Sequence, residues 1–166
     1  IIKFFHLRKT AFGFFKNRMC ITTMMKRRSL LAGLSFSHAD VASVHCMAEA
    51  LGSIYDAPHG MCNAILLPYV MEYNLPAAVY KYARIARAMG IEEKDDYIAA
   101  VKGIGHIKKL SREIGLPGIR SLNINTNDFE LLAEMSEKNG SNDSNPRKIT
   151  KDEYMALFYK AYKDCN

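Results

Sequence analysis

One stretch constrains this chain more than any other: Val44-His45-Cys46-Met47-Ala48-Glu49-Ala50-Leu51-Gly52-Ser53-Ile54-Tyr55-Asp56-Ala57-Pro58-His59-Gly60. Its small and apolar residues predict a helix from about Val41 to Tyr55. His45 and Glu49 are four residues apart and share one face of such a helix. Gly52 permits a close backbone approach or a bend. Pro58 and Gly60 set His59 on a turn, and a turn can aim a side chain back at the preceding helix. Imidazole is a good ligand for zinc and for iron(II), so two converging imidazoles suit a divalent metal. Spacing alone leaves the bland alternative open. A histidine is more often a surface or hydrogen-bonded core residue, and no short motif such as H-E-x-x-H is present.

Helical periodicity dominates the rest. Ser29 to Phe36 carries an apolar stripe of Leu30, Leu31, Leu34 and Phe36 with small residues between. Asp40 is the expected N-cap of the helix that follows, with His38 a surface or capping residue beside it. A helix from about Met61 to Tyr73 is apolar on nearly every side, which marks a buried position. Pro68 should kink it. Asn74-Leu75-Pro76 should end it and start an amphipathic helix over 77–89, with Val79, Tyr82, Ala83, Ile85, Ala86 and Met89 inward. Gly90 is a C-cap candidate. The next helix, about Tyr97 to Ile114, should bury Ile98, Val101, Ile104, Ile107, Leu110 and Ile114. Residues 119–126 read as a loop, and Asn127 with Glu130 as a capping box for a helix to about Lys138. Residues 139–147 read as a polar loop. Thr150 and Glu153 cap a last helix with a stripe of Tyr154, Leu157, Phe158 and Ala161. No strand pattern, internal repeat or G-x-G-x-x-G loop is present, so the expected fold class is an all-α helical bundle.

Charge is unevenly spread. Residues 1–28 hold eight of the 23 basic side chains and none of the 17 acids. The remainder is slightly acidic, which excludes a nucleic-acid-binding face spread over the domain. Residues 1–28 are also rich in phenylalanine. They read as a transit peptide, a basic membrane-surface helix, or a truncated or mis-framed start, and the last is favoured. The domain boundary is placed there: 1–28 a basic, aromatic-rich segment, 29–166 an all-helical domain. No apolar run approaches the ~20 residues of a spanning helix. Cys20, Cys46, Cys62 and Cys165 form no Cys-x-x-Cys pair, which argues against a disulfide framework or structural zinc site. A reducing, cytoplasmic setting is expected.

The string from His45 to Gly60, continuing as Met61-Cys62-Asn63-Ala64-Ile65-Leu66-Leu67-Pro68-Tyr69-Val70-Met71-Glu72-Tyr73-Asn74, resembles the metal-binding signature of the iron-containing (group III) alcohol dehydrogenases. That family carries a His, a small-residue helix, a Leu-Gly pair, a Tyr-Asp step and Pro-His-Gly before a long apolar helix. Leu110 to Pro117 resembles its Leu-x-x-x-Ile-Gly-Ile-Pro turn. The resemblance extends from Ser29 to about Asp164. It implies the helical C-terminal domain of the dehydroquinate synthase-like fold, without the N-terminal nucleotide-binding domain and without the first metal-ligand helix, usually Asp-Ala-Leu-x-His-Ala-x-Glu.

The resemblance implies that His45 and His59 bind the catalytic metal, two of four side-chain ligands. Many members have His where Glu49 stands, so Glu49 is active-site-adjacent. The implied ion is iron(II), with zinc the alternative, and NAD or NADP is bound by the absent domain. The implied chemistry is polarisation of an alcohol oxygen for hydride transfer, on a small alcohol or aldehyde. The alternative reading is a non-catalytic truncated helical module. Glu49 and Asp56 are candidates to hold the second imidazole nitrogens. Neither nucleic acid nor membrane is an expected partner. Self-association into a homo-oligomer is expected from uncovered apolar surface.

Overall fold

Helix is the only regular structure among the described residues, 18–164, of the computed structural model. They form α1 (Arg18–Ser37), α2 (Ser43–Tyr55), α3 (His59–Ala88), α4 (Asp96–Glu113), α5 (Phe129–Lys138) and α6 (Lys151–Lys163), with short 3-10 turns at Ile119–Leu122, Thr126–Asp128 and Gly140–Ser144. None of the described helices is long and apolar enough to cross a membrane. The readings of residues 1–17 lie outside the described residues, while 18–28 enter α1. The described residues fall into two compact units, one of 18–40 with Tyr80–Gly103 and one of Val41–Val79 with 104–164.

In the larger unit, α5 packs against both α2 and α6. Met47 and Leu51 of α2, Leu66 of α3, Phe129 and Leu132 of α5 and Phe158 of α6 meet in one fully buried core. The last helix matches its sequence reading. The Thr150 hydroxyl accepts from Glu153 N–H while the Glu153 side chain accepts from Thr150 N–H. Its predicted stripe of Tyr154, Leu157, Phe158 and Ala161 is buried.

Several local expectations are corrected. Asp40 does not cap α2. It adopts left-handed backbone, φ 59°, and Ala42 stands at the N-cap without a side-chain bond. An Asp tolerates that conformation because its short polar side chain can bond locally. Asn74 to Pro76 does not end a helix, and Pro68 leaves the backbone helical. The interruption in α3 falls at Ala78 (φ −130°, ψ 15°), two residues past Pro76. The Asn127 capping box is replaced by Asn125, whose side chain accepts from Asn127 N–H at 3.0 Å. Residues 119–126 are not simply loop: Ile119 is fully buried in a 3-10 turn.

The polar segment 139–147 is structural. Asn142 is buried, and its Oδ1 accepts from Ser43 Oγ at 3.2 Å and from Tyr154 Oη at 2.9 Å. Its Nδ2 donates to the Ile149 carbonyl at 2.9 Å. Asn145 and Asn74 exchange reciprocal amide bonds, both 2.8 Å. Buried amides persist only when paired, so these contacts fix the loop against α2, α3 and α6.

In the smaller unit, the contact between α3 and α4 is made by small residues. Ala83, Ala86 and Ala99 are fully buried. A Cβ added at Gly103 would lie 2.8 Å from Ala86 Cβ. Because Ala99 and Gly103 take the close positions, Ile98 and Val101 turn outward and are exposed, as is Ile85. Ile114 is exposed as well. Leu30, Leu31, Leu34 and Phe36 lie on a helix as expected, yet all four are exposed. Arg87 ties the α3–α4 connection, donating to the carbonyls of Glu93 (2.8 Å) and Lys94 (2.7 Å) and pairing with Asp96 at 2.7 Å. Gly90 has the positive φ, 94°, that a C-cap glycine supplies.

Candidate metal centre

The site is built by the sharp return between α2 and α3. Asp56, at φ 50°, ends α2 in left-handed backbone. The chain then doubles back, and the Ala57 carbonyl passes over Gly52, 3.5 Å from where a Cβ would stand. That is ordinary van der Waals spacing, so a methyl group would fit and the return does not require glycine at this position. Pro58 then starts α3, its carbonyl accepting from the N–H groups of Met61 (2.9 Å) and Cys62 (3.0 Å). His59 is therefore the first residue of a helix and not the middle of a turn.

Tyr55 fastens this return from outside. Its hydroxyl donates to the Asp128 carboxylate and accepts from Asn125 N–H at 2.9 Å. Burial and the bond to Asp128 raise the Tyr55 pKa above the ordinary phenol value. The phenol therefore stays a neutral donor, and the end of α2 is held to the start of α5.

This backbone path brings the His45 and His59 rings together, with centroids 5.2 Å apart and planes tilted by 53°. His45 is half-buried and His59 exposed. The spacing fits two imidazoles meeting at one divalent ion, for which metal–nitrogen bonds of about 2.1 Å put ring centroids roughly 5 Å apart. The donor set is incomplete. Among the described residues no group of three His, Cys, Asp or Glu side chains could hold a metal ion.

Glu49 does not complete a trio. It is exposed, and its Oε2 accepts from Asn139 Nδ2 at 2.6 Å. That bond turns it toward the end of α5. Asp56 serves as the C-cap of α2. His38 is exposed on the surface as expected.

The residue that touches His59 is one the sequence reading passed over. Asn63 Nδ2 lies 2.9 Å from His59 Nε2 and donates to the His59 carbonyl at 3.1 Å. The signal was present: Asn63 is four residues after His59 and shares its helix face.

Comparison with known proteins follows this geometry. The family model described as "Fe-containing alcohol dehydrogenase family, C-terminal" matches residues 15–162. The 1,3-propanediol dehydrogenase of Klebsiella pneumoniae is 45% identical over 141 residues, covering 83% of this chain and 36% of that enzyme. Alcohol dehydrogenase 4 of Saccharomyces cerevisiae is 37% identical over 136 residues, covering 80% of this chain and 35% of that protein. Among solved structures, a 1,3-propanediol oxidoreductase superposes with a TM-score of 0.77 at 46% identity, over 80% of this chain and 36% of the other. The chain thus spans about a third of the length of the curated relatives it matches.

Proposed function

The chain belongs to the Fe-containing alcohol dehydrogenase family, and on that premise we propose that it supplies two metal ligands, His45 and His59, to an NAD(P)-linked alcohol dehydrogenase or aldehyde reductase. The single observation that carries this reading is the 5.2 Å approach of the two rings across the α2–α3 return. A divalent ion held there, iron(II) or zinc, would supply Lewis-acid polarisation of a small alcohol's oxygen for hydride transfer. The protein's own part is to fix both imidazoles on packed helices, so that the ligand geometry exists before any ion arrives. Glu49 borders this site one turn along α2 from His45 and is held out of it by Asn139.

Two requirements lie outside the described residues. Catalytic metal sites have three or more protein ligands, so at least one further donor is needed. The sequence carries no Gly-rich dinucleotide loop, so the nicotinamide cofactor would be bound by polypeptide beyond these 166 residues. Two buried cysteines outside any disulfide, Cys46 and Cys62, support a reducing, cytoplasmic setting. Exposed Leu30, Leu31, Leu34 and Phe36 support self-association of this chain.

The lack of a third ligand among the described residues favours a second reading, a helical module without metal-dependent activity. Metal analysis separates the two. Purified protein equilibrated with iron(II) or zinc and then desalted should retain metal, and the His45→Ala, His59→Ala double variant should lose it. Equal metal in both removes the ligand assignment. No retained metal in either favours the non-catalytic module.

A further inference from the structure

We propose that Asn63 is a positioning residue for His59, holding the imidazole in the tautomer with its proton on Nδ1 so that Nε2 presents an unprotonated lone pair. The Asn63 amide meets His59 twice. Its nitrogen sits within bonding distance of two atoms of His59, Nε2 at 2.9 Å and the backbone carbonyl at 3.1 Å. A carbonyl oxygen can only accept. The group facing it must therefore be the amino group of Asn63, because the flipped amide would set two oxygens against each other. The orientation of the amide then fixes the ring. An amino group at 2.9 Å from Nε2 requires that nitrogen to accept, so the imidazole proton resides on Nδ1.

Asn63 Oδ1 is buried and has no hydrogen-bond partner among the described residues. Flipping the amide would set this oxygen 2.9 Å from Nε2, a donor in the other tautomer, but also 3.1 Å from the His59 carbonyl, where two oxygens repel. The carbonyl therefore decides the orientation, and the unpaired oxygen is the accompanying cost.

The consequence for the site is direct. Metal ions take the unprotonated nitrogen of a neutral imidazole, and which nitrogen that is depends on the bond the ring makes elsewhere. Here an amino hydrogen of Asn63 marks Nε2 as the unprotonated nitrogen, and a cation bound there would displace that hydrogen from the lone pair. The purpose assigned to this arrangement rests on His59 being a metal ligand. The arrangement itself does not.

Long-range proton–nitrogen correlation spectra of uniformly nitrogen-15-labelled, chelator-treated protein test it, at a pH where imidazoles are neutral. His59 signals are assigned by their loss in His59→Gln. In the wild type, Nδ1 should carry the shift of a protonated ring nitrogen and Nε2 that of an unprotonated one. Asn63→Asp replaces the donor by an acceptor and should reverse the pattern, with the proton on Nε2. Asn63→Leu should relax it toward the mixture of free imidazole. A wild-type spectrum showing the proton on Nε2 overturns the proposal, whatever the Asn63 variants do. An Asn63→Asp spectrum identical to the wild type overturns it equally. Because these spectra are taken without metal, failure of the ligand assignment and failure of this one are read in separate experiments.

Discussion

Asn142 and Tyr154 meet inside the larger unit, the phenol donating to the Asn142 Oδ1 at 2.9 Å with both residues buried. The same oxygen accepts from Ser43 at the start of α2. A residue read from sequence as part of a polar loop thus joins the first turn of the helix bearing His45 to the last helix of the chain.

Asn142→Ala should therefore be among the most damaging single changes. It removes the acceptor shared by the Ser43 and Tyr154 hydroxyls and the Ile149 N–H, and the donor to the Ile149 carbonyl, at a fully buried position. Each orphaned group costs about 1–3 kcal/mol, and partial relaxation should leave a net loss of about 3 kcal/mol. Tyr154→Phe removes one partner and should cost about 1 kcal/mol. Urea titration measures both, with the midpoint falling at unchanged slope. A loss below about 1 kcal/mol for Asn142→Ala would show that the network is not holding the helices.

Two neighbouring glycines on α4 should respond oppositely to alanine. At Gly103 the new methyl would sit 2.8 Å from Ala86 Cβ and 3.4 Å from its Cα, with no flexible side-chain end to yield. Overpacking costs about 1–3 kcal/mol and outweighs the ~1 kcal/mol gained in helix propensity. At Gly105 nothing lies within 4 Å of the new Cβ, so only the propensity gain of up to about 1 kcal/mol remains. Thermal melts should therefore move down for Gly103→Ala and up for Gly105→Ala. Equal shifts would contradict the close approach of α3 and α4.

Glu72 should contribute a pH-dependent term. Its carboxylate lies between Lys108 Nζ at 2.7 Å and Lys160 Nζ at 2.6 Å. Burial pushes its pKa up, but the bonds from Lys108 and Lys160 more than offset this and hold it below the ordinary value. The folded state thus favours the charged form. Its stabilisation is fully present above the unfolded value of about 4.3 and is lost as pH falls through the lowered folded value. Glu72→Gln should lower the melting temperature at neutral pH by an amount that shrinks on acidification below about pH 4. A gap that stays constant from neutral to acidic pH would rule out this linkage.

The sequence was informative where chemistry and period repeat locally. The Thr150–Glu153 capping box and the apolar stripe of α6 are contained in a few turns, and both stand in the structure as read. Spacing alone left the pairing of His45 with His59 open, and it was legible through the likeness of the whole string to a family signature. What stayed hidden was decided by partners remote in the chain. Asn142 meets Ser43 across 99 positions, and no periodicity announces such a bond. Ile98 and Val101 fit a helical stripe, yet the inner side of α4 was settled by how closely Ala99 and Gly103 let Ala86 approach. Asn63 stayed hidden because an amide that bonds to an imidazole is not itself a ligand-type residue and carries no motif of its own.

The reciprocal amides of Asn74 and Asn145 carry a consequence for how this chain can change over generations. Each side chain is donor and acceptor to the other, and Asn145 Nδ2 also donates to the Arg147 carbonyl. Altering one leaves a buried amide group of its mate unpaired. Two codons 71 positions apart are thereby coupled, and a change at one alters which residues the other tolerates.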